Sequence, residues 1–364
     1  MGGPVRPTQD FPWSRADQGL LCYGVGMGTY RAVVLAHRGG VEGLQTVELP
    51  LEEPGPGEVR VAVRAAGAGG TDLLMRRGLY PGAPRMPFVL GYDAVGEVEA
   101  LGPGVEGLAI GQRVAALLGH GGYAEKLVRP ANLFVPVPPS VDDESAISLV
   151  LNYVTAWQCL HRVAALKAGD TALVTGANGG VGTALLELMR LADIRALGAA
   201  GAAHHDLVRS YGAAPLESRG GPLDAAVRAL APEGVAAAFD CLGGKYSAAC
   251  VRATRRGGTV VAYGFGAAAG RSAFLRGLAG LYAAGWSAGR RPRVYRISSE
   301  HRRHPGRFRD DLAALFALLA EGKLHPRIAA RLPLLAARES SALLEKGGLN
   351  GKIVHLASQR EPTA

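Results

Sequence analysis

The sequence predicts an α/β protein, a β-rich first part followed by a doubly wound parallel sheet with helices on both faces. Three observations carry this. Glu58 to Arg64 alternates polar and apolar residues at the two-residue period of a half-buried strand. Residues 176–182 make a glycine-rich turn between a short apolar strand and a helical stretch. From Ile194 to Tyr263, strand and helix signals then alternate, the pattern of a parallel sheet.

In chain order, residues 1–29 lack a clear period and hold Pro4, Pro7 and Pro12, which marks them as a flexible arm or as an upstream extension before a start near Met27. Tyr30–Leu35 and Glu58–Arg64 are strands, separated by the breaker Pro54-Gly55-Pro56-Gly57. Further strands fit Ala94–Ala100 and Arg113–Leu118. The texture changes near Asn152. Leu173–Thr175 is a strand and Thr183–Leu191 a helix. After them come Ile194–Ala199, His205–Tyr211, Ala236–Asp240, Ser247–Thr254 and Thr259–Tyr263. Asp311–Ala320 has the period of an amphipathic helix, and Gly351–Leu356 closes the pattern as a strand. The run from Glu300 to His304 is expected to be a surface loop.

Composition excludes several classes. With 364 residues, 48% of them hydrophobic, the chain can bury two or three cores. No apolar run reaches the roughly 20 residues a bilayer crossing needs, so no membrane is expected as a partner. Cys22, Cys159, Cys241 and Cys250 show no C-x-x-C spacing, which argues against a disulfide framework and a structural zinc. No signal-peptide layout stands at the front, and a reducing cytoplasm is the expected location. The net charge is +9, yet only six of 40 basic residues are lysine, and eight arginines lie between Arg290 and Arg309. No nucleic-acid-binding motif accompanies that cluster. It is expected to be a solvated face, with nucleic acid not a partner.

The glycine turn carries chemistry. The first N–H groups of a helix lack internal acceptors, and its dipole puts partial positive charge there. The spacing Gly176-x-x-Gly179-x-x-Gly182 departs from the usual dinucleotide fingerprint, because position 178 is asparagine. With the βαβ alternation around it, the turn still points to a dinucleotide held by Gly176, Asn178, Gly179, Gly180, Val181 and Gly182. NAD-binding folds carry an acid about 20 residues past the glycines, for the ribose 2′-hydroxyl. Here Ala199 to His205 holds none before Asp206. His204, His205 and Arg209, just after Ala200, can instead approach a 2′-phosphate, so NADPH is favoured over NAD(H).

An ordered succession of motifs completes the reading: Asp72 with Arg77–Gly82, Pro87–Asp93, Gly121–Glu125, Leu151–Ala156, Gly176–Gly182, Asp240–Gly243, Gly257–Gly264 and Asn350–Val354. Together they resemble the medium-chain dehydrogenase/reductase superfamily, and within it the zinc-independent quinone oxidoreductases and vesicle amine-transport-protein-like reductases. The resemblance implies a GroES-like β-rich catalytic domain over 30–153, to which 291–364 returns. A Rossmann NADPH-binding domain over 154–290 is inserted between them. It also implies a homodimer, substrate entry between the domains, and coenzyme contacts at Thr155, Tyr263, Gly264, Phe265 and Asn350.

Zinc-dependent relatives carry cysteine before the Gly-Thr-Asp triplet and histidine before the next acid. This chain has Gly69 and Tyr92 at those places, so no zinc is expected. Without a metal, hydride must go to an acceptor already activated by conjugation, an enone, enoyl thioester or quinone, with a nearby donor for the developing enolate. The candidates are Tyr80, at a position where modular polyketide enoyl reductases carry a tyrosine, then Tyr92 and Tyr153. Asn152 is assigned to the nicotinamide side of the site. Asp72 and Asp93 are taken as buried structural carboxylates. Two departures stand out: quinone oxidoreductases usually have asparagine at Gly69 and lysine at His204. A role in natural-product tailoring suits such a chain. Two rivals are a coenzyme-binding cyclase or isomerase without redox turnover, and a nucleic-acid or partner-binding protein using Arg290–Arg309.

Overall fold

The computed structural model describes residues 28–264 and 271–358. The expected arm, apart from its last two residues, and Phe265 lie outside them. The chain divides into two compact units. One holds the residues up to Val150, Ala330–Lys346 and those from Ile353 on; the other holds Leu151–Ala329 and Gly347–Lys352.

The first unit is β-rich, as the sequence predicts. Its larger sheet has seven strands. Six run in the order Ile328–Pro333, Lys352–Leu356, Glu58–Ala68, Asp93–Leu101, Arg113–Leu117 and Val135–Pro136, and Lys126–Pro130 also pairs with Glu58–Ala68. Glu58–Ala68 is central, and its inward residues Val59, Val61 and Val63 are buried, which is what the two-residue period encodes. A smaller sheet sets Thr29–Leu35 between Leu44–Pro50 and Phe88–Val89.

The second unit is a six-stranded, wholly parallel sheet. Its order is Ala214–Glu217, Arg195–Ala200, Thr171–Thr175, Val235–Asp240, Thr254–Ala262 and Arg291–Val294. Counted along the chain this is 3-2-1-4-5-6, the doubly wound dinucleotide-binding order. Leu173, Leu197, Val235 and Val260 form the buried middle with Val227 and Leu281 from the covering helices. Full burial of each such side chain contributes about 1.5–3 kcal/mol.

Two readings of the basic stretch need correction. The sequence boundary at 290 cuts off the sixth strand, whereas the second unit continues to Ala329. Arg291-Pro292-Arg293-Val294 is half arginine, and proline cannot donate to a ladder. At a sheet edge neither matters, because one side of the strand has no neighbour to satisfy. Glu300–His304 is not a loop: Ile297–Arg303 is a helix, and His301 packs edge-on against Phe308 of the next helix, Pro305–Ala320. No helix among the described residues is long and apolar enough to cross a membrane.

Candidate functional site

The strand order of the second unit reverses between Thr171–Thr175 and Val235–Asp240, and ligands of open α/β sheets bind outside the carboxyl ends of the strands at such a point. Gly176 follows the first of these strands with φ +61°, a left-handed conformation suited to glycine, and a Cβ there would lie 2.5 Å from the Cys241 sulfur. Helix Gly180–Leu191 begins immediately beyond. A Cβ on Gly182 would come within 2.3 Å of the Gly176 carbonyl oxygen, so this glycine lets helix and strand close together. Gly179 caps the helix without a side chain, leaving the N–H groups of Gly180, Val181 and Gly182 without intrahelical acceptors. Gly176 and Asn178–Val181 are partly exposed, while Gly182 is buried.

Residues 347–352 strap this turn from far along the chain. The Gly351 N–H donates to the Asn178 carbonyl at 3.0 Å, and Gly179 and Gly351 form a parallel bridge. Asn178 spends its side-chain amide on the Leu349 carbonyl at 2.9 Å, so it clamps the strap. Asn350 rides on the strap with its amide oxygen shielded from solvent and without a hydrogen-bond partner among the described residues. Such an acceptor is costly unless a ligand donor reaches it. A glycine cradle, a bare helix start and this acceptor fit a dinucleotide.

At the end of strand Arg195–Ala200, the Ala200 carbonyl accepts from the Ser218 N–H at 3.0 Å, and His205 Nε2 lies 3.3 Å from it. His204 stands in the short turn that follows, with Nδ1 shielded and without a partner among the described residues. Arg209 points elsewhere, into an exposed ion pair with Asp206 at 2.6 Å. Of the three basic residues singled out for a phosphate, His204 alone offers an uncommitted shielded nitrogen.

Two π-helical turns, Leu149–Tyr153 and Gln158–Val163, flank Val154–Trp157. π-turns insert a residue and redirect side chains, often at functional sites. Asn152 is buried and places its amide nitrogen 2.2 Å from where a Gly180 Cβ would stand, directly over the helix start. Thr155 is also buried. Tyr153 cannot deliver a proton outward: its hydroxyl donates to the buried Glu187 at 2.5 Å, and burial followed by that carboxylate pushes the phenol well above its ordinary value. Glu187 also accepts from the His325 N–H at 3.0 Å. Tyr263 lies against Cys241, whose thiol is pushed up to about 11 by burial and then by Asp240. Gly264 follows, so close to Cys241 that a Cβ would sit 2.8 Å from its carbonyl oxygen. Asp240 itself is structural, accepting from Thr175, Ser247, Leu242 and Gly243.

In the first unit, the Tyr80 and Tyr92 hydroxyls meet at 2.6 Å with their rings edge-on. Tyr92 is 1% exposed and Tyr80 half-buried. Asp93 Oδ1 accepts from the Gly67 N–H and Asp72 Oδ2 from the Gly69 N–H, both at 2.9 Å, the structural work assigned to them. No group of three or more His, Cys, Asp or Glu side chains suited to a metal ion occurs among the described residues.

Sequence reasoning missed Glu187, which accepts from Tyr153, and the buried hydrogen bonds that join Gln158 to Tyr295 and to Asp311. One signal existed. Gln158 is a lone polar residue inside the apolar run from Val154 to Leu160, apart from Thr155.

Residues 55–139 match the family model of the alcohol dehydrogenase GroES-like domain, and residues 212–354 that of the zinc-binding dehydrogenases. The human synaptic vesicle membrane protein VAT-1 homolog-like is 33% identical over 235 residues, which is 64% of this chain and 56% of the human protein. The match therefore spans little more than half of that relative. A polyketide synthase of Streptomyces halstedii is 32% identical over 305 residues, 84% of this chain and 5% of the synthase. A solved mycobacterial protein complexed with NADPH is 30% identical, with 90% of this chain and 99% of that chain covered at a TM-score of 0.79.

Proposed function

We propose, for a chain that belongs to the medium-chain dehydrogenase/reductase superfamily and within it to the branch of quinone oxidoreductases and VAT-1-like proteins, the zinc-independent reduction of a conjugated carbonyl compound or quinone with NADPH. The observation that carries it is the strapped glycine turn, with its bare helix start and the unpartnered Asn350 oxygen. The mycobacterial relative complexed with NADPH supports the coenzyme.

When bound, NADPH supplies the hydride. This chain's residues do the rest. Gly176, Gly179 and the N–H groups of Gly180, Val181 and Gly182 receive the pyrophosphate, and His204 stands for the 2′-phosphate. Asn350, Asn152 and Thr155 orient the coenzyme; Tyr263 and Gly264 wall its site. Cys241 stays a neutral thiol at physiological pH and adds no charge there.

On the acceptor, hydride adds to carbon and negative charge collects on oxygen. Of the two hydroxyls at 2.6 Å, one donates to the other. Tyr80, the less buried of the two, is the proton donor to the enolate oxygen, and the hydroxyl of Tyr92 beside it stabilises the phenolate as it forms. Gly69 and Tyr92, at the places of zinc ligands in relatives, supply no strong metal donor. A saturated ketone would lack activation here. The reading extends to a cytoplasmic homodimer. The polyketide synthase relative supports a place in natural-product tailoring.

The test is NADPH consumption by metal-stripped protein with a panel of enones, quinones and saturated ketones. Turnover is expected with an enone or quinone, unaffected by chelator, and none with the ketones. Zinc-restored alcohol oxidation, or no consumption with any conjugated acceptor, would overturn the proposal.

A further inference from the structure

Gly180 opens its helix without a left-handed backbone, so no conformational need calls for glycine there. What the position lacks is room for a side chain. The three atoms nearest to where its Cβ would stand all belong to Asn152: the amide nitrogen at 2.2 Å, the amide carbon at 3.1 Å and the oxygen at 3.5 Å. A helical Cβ tilts toward the helix N-terminus, so the nitrogen stands on the side of the bare N–H groups. Asn152 is 7% exposed, and its side chain makes no hydrogen bond among the described residues. A buried amide is costly to leave so unless a ligand meets it.

The next residue fixes that amide in place. The Tyr153 hydroxyl donates to Glu187 Oε2 at 2.5 Å, and Glu187 Oε1 accepts from the His325 N–H at 3.0 Å. Glu187 stands seven residues beyond Gly180 on the same helix, about two turns along and so on the same face. Asn152 and Tyr153 lie along that face at two fixed points, one against Gly180 and one on Glu187. These five residues all belong to the second unit.

We propose that the Asn152 amide is a side-chain hydrogen-bond donor to the coenzyme pyrophosphate, beside the N–H groups of the helix start, and that Tyr153 and Glu187 are positioning residues that hold it there. The inference rests on the NADPH reading above and adds a side-chain donor where main chain alone was assigned. It also gives Gly180 its reason: the space a Cβ would take belongs to the amide.

The test compares three ligands in the absence of any acceptor: NADPH, 2′-phospho-ADP-ribose, which keeps the pyrophosphate but lacks nicotinamide, and adenosine 2′-monophosphate, which lacks both. Dissociation constants are read by calorimetry. Asn152→Ala is expected to weaken the first two roughly tenfold and to change the third by less than about twofold. Gly180→Ala, which drives a methyl into the amide, is expected to show the same selectivity although alanine is the better helix former. Tyr153→Phe is expected to weaken the first two about threefold and to add nothing in the Asn152→Ala background. Equal weakening of all three ligands, weakening of NADPH alone, or no weakening by Asn152→Ala would overturn the donor role and leave the coenzyme assignment intact. Tyr153→Phe acting undiminished in the Asn152→Ala background, or having no effect by itself, would overturn the positioning role. Wild-type protein that binds neither NADPH nor 2′-phospho-ADP-ribose would overturn the coenzyme reading as well.

Discussion

The two candidate ends of the chemistry are built from different materials. The glycine turn of the second unit is backbone: a left-handed Gly176, a Gly182 with no room for a Cβ, and a strap that pairs main chain with main chain at Gly179 and Gly351. The tyrosine pair of the first unit is side chain: two hydroxyls at 2.6 Å with their rings edge-on. Backbone sites tolerate little substitution where a Cβ collides, as it would at Gly176 and Gly182. Side-chain sites change chemistry with a single replacement. The difference teaches that a substitution breaks the first end sterically and the second chemically.

Breaking the backbone end should have the largest effect. Gly182→Ala drives a methyl to within 2.3 Å of the Gly176 carbonyl, and the strand–helix turn must open. Overpacking of this kind costs about 1–3 kcal/mol. Denaturant unfolding should show that loss, together with near-complete loss of NADPH binding. Normal coenzyme binding by the Gly182→Ala variant would refute the close-packing account.

Removing one hydroxyl at the side-chain end should be milder and more selective. Tyr80→Phe is expected to lower kcat for an enone by about 10²-fold, with the NADPH dissociation constant unchanged, as befits a lost proton donor. Unaltered kcat would transfer that role to another group.

The effect furthest from the chemistry concerns acid stability of the first unit. Burial, followed by Arg129, holds the His120 imidazole down to about 4, so it is neutral in the folded state. The unfolded chain takes up a proton near pH 6.5. Stability is therefore fully present above that pH and declines as pH falls from about 6.5 toward 4, by about 1–3 kcal/mol. His120→Gln should flatten this part of the urea-midpoint profile. An unchanged slope would place the acid sensitivity elsewhere.

Much of the fold was legible because its signals are local. The two-residue period of Glu58–Arg64 and the apolar Leu173–Thr175 strand encode their own burial. The edge strand Arg291–Val294 was not, since its two arginines merge with the basic run around it and an edge can hold a proline that gives no N–H. Helix Ile297–Arg303 was hidden by its charges; its fixed point is a contact between His301 and Phe308. At the site, the glycines announced themselves by spacing. The commitments of Asn178 to Leu349 and of Tyr153 to Glu187 depend on residues distant in sequence, which no local pattern reveals.

The most direct measurement follows one atom. Metal-free enzyme would be supplied with NADPH deuterated at the transferable position of C4 and with an enone, and the saturated product analysed by NMR. A single deuterium on the former β-carbon, with the α-hydrogen drawn from water, is the expected result. Product without coenzyme-derived deuterium, or transfer only after zinc is added, would contradict direct hydride delivery to a conjugated acceptor.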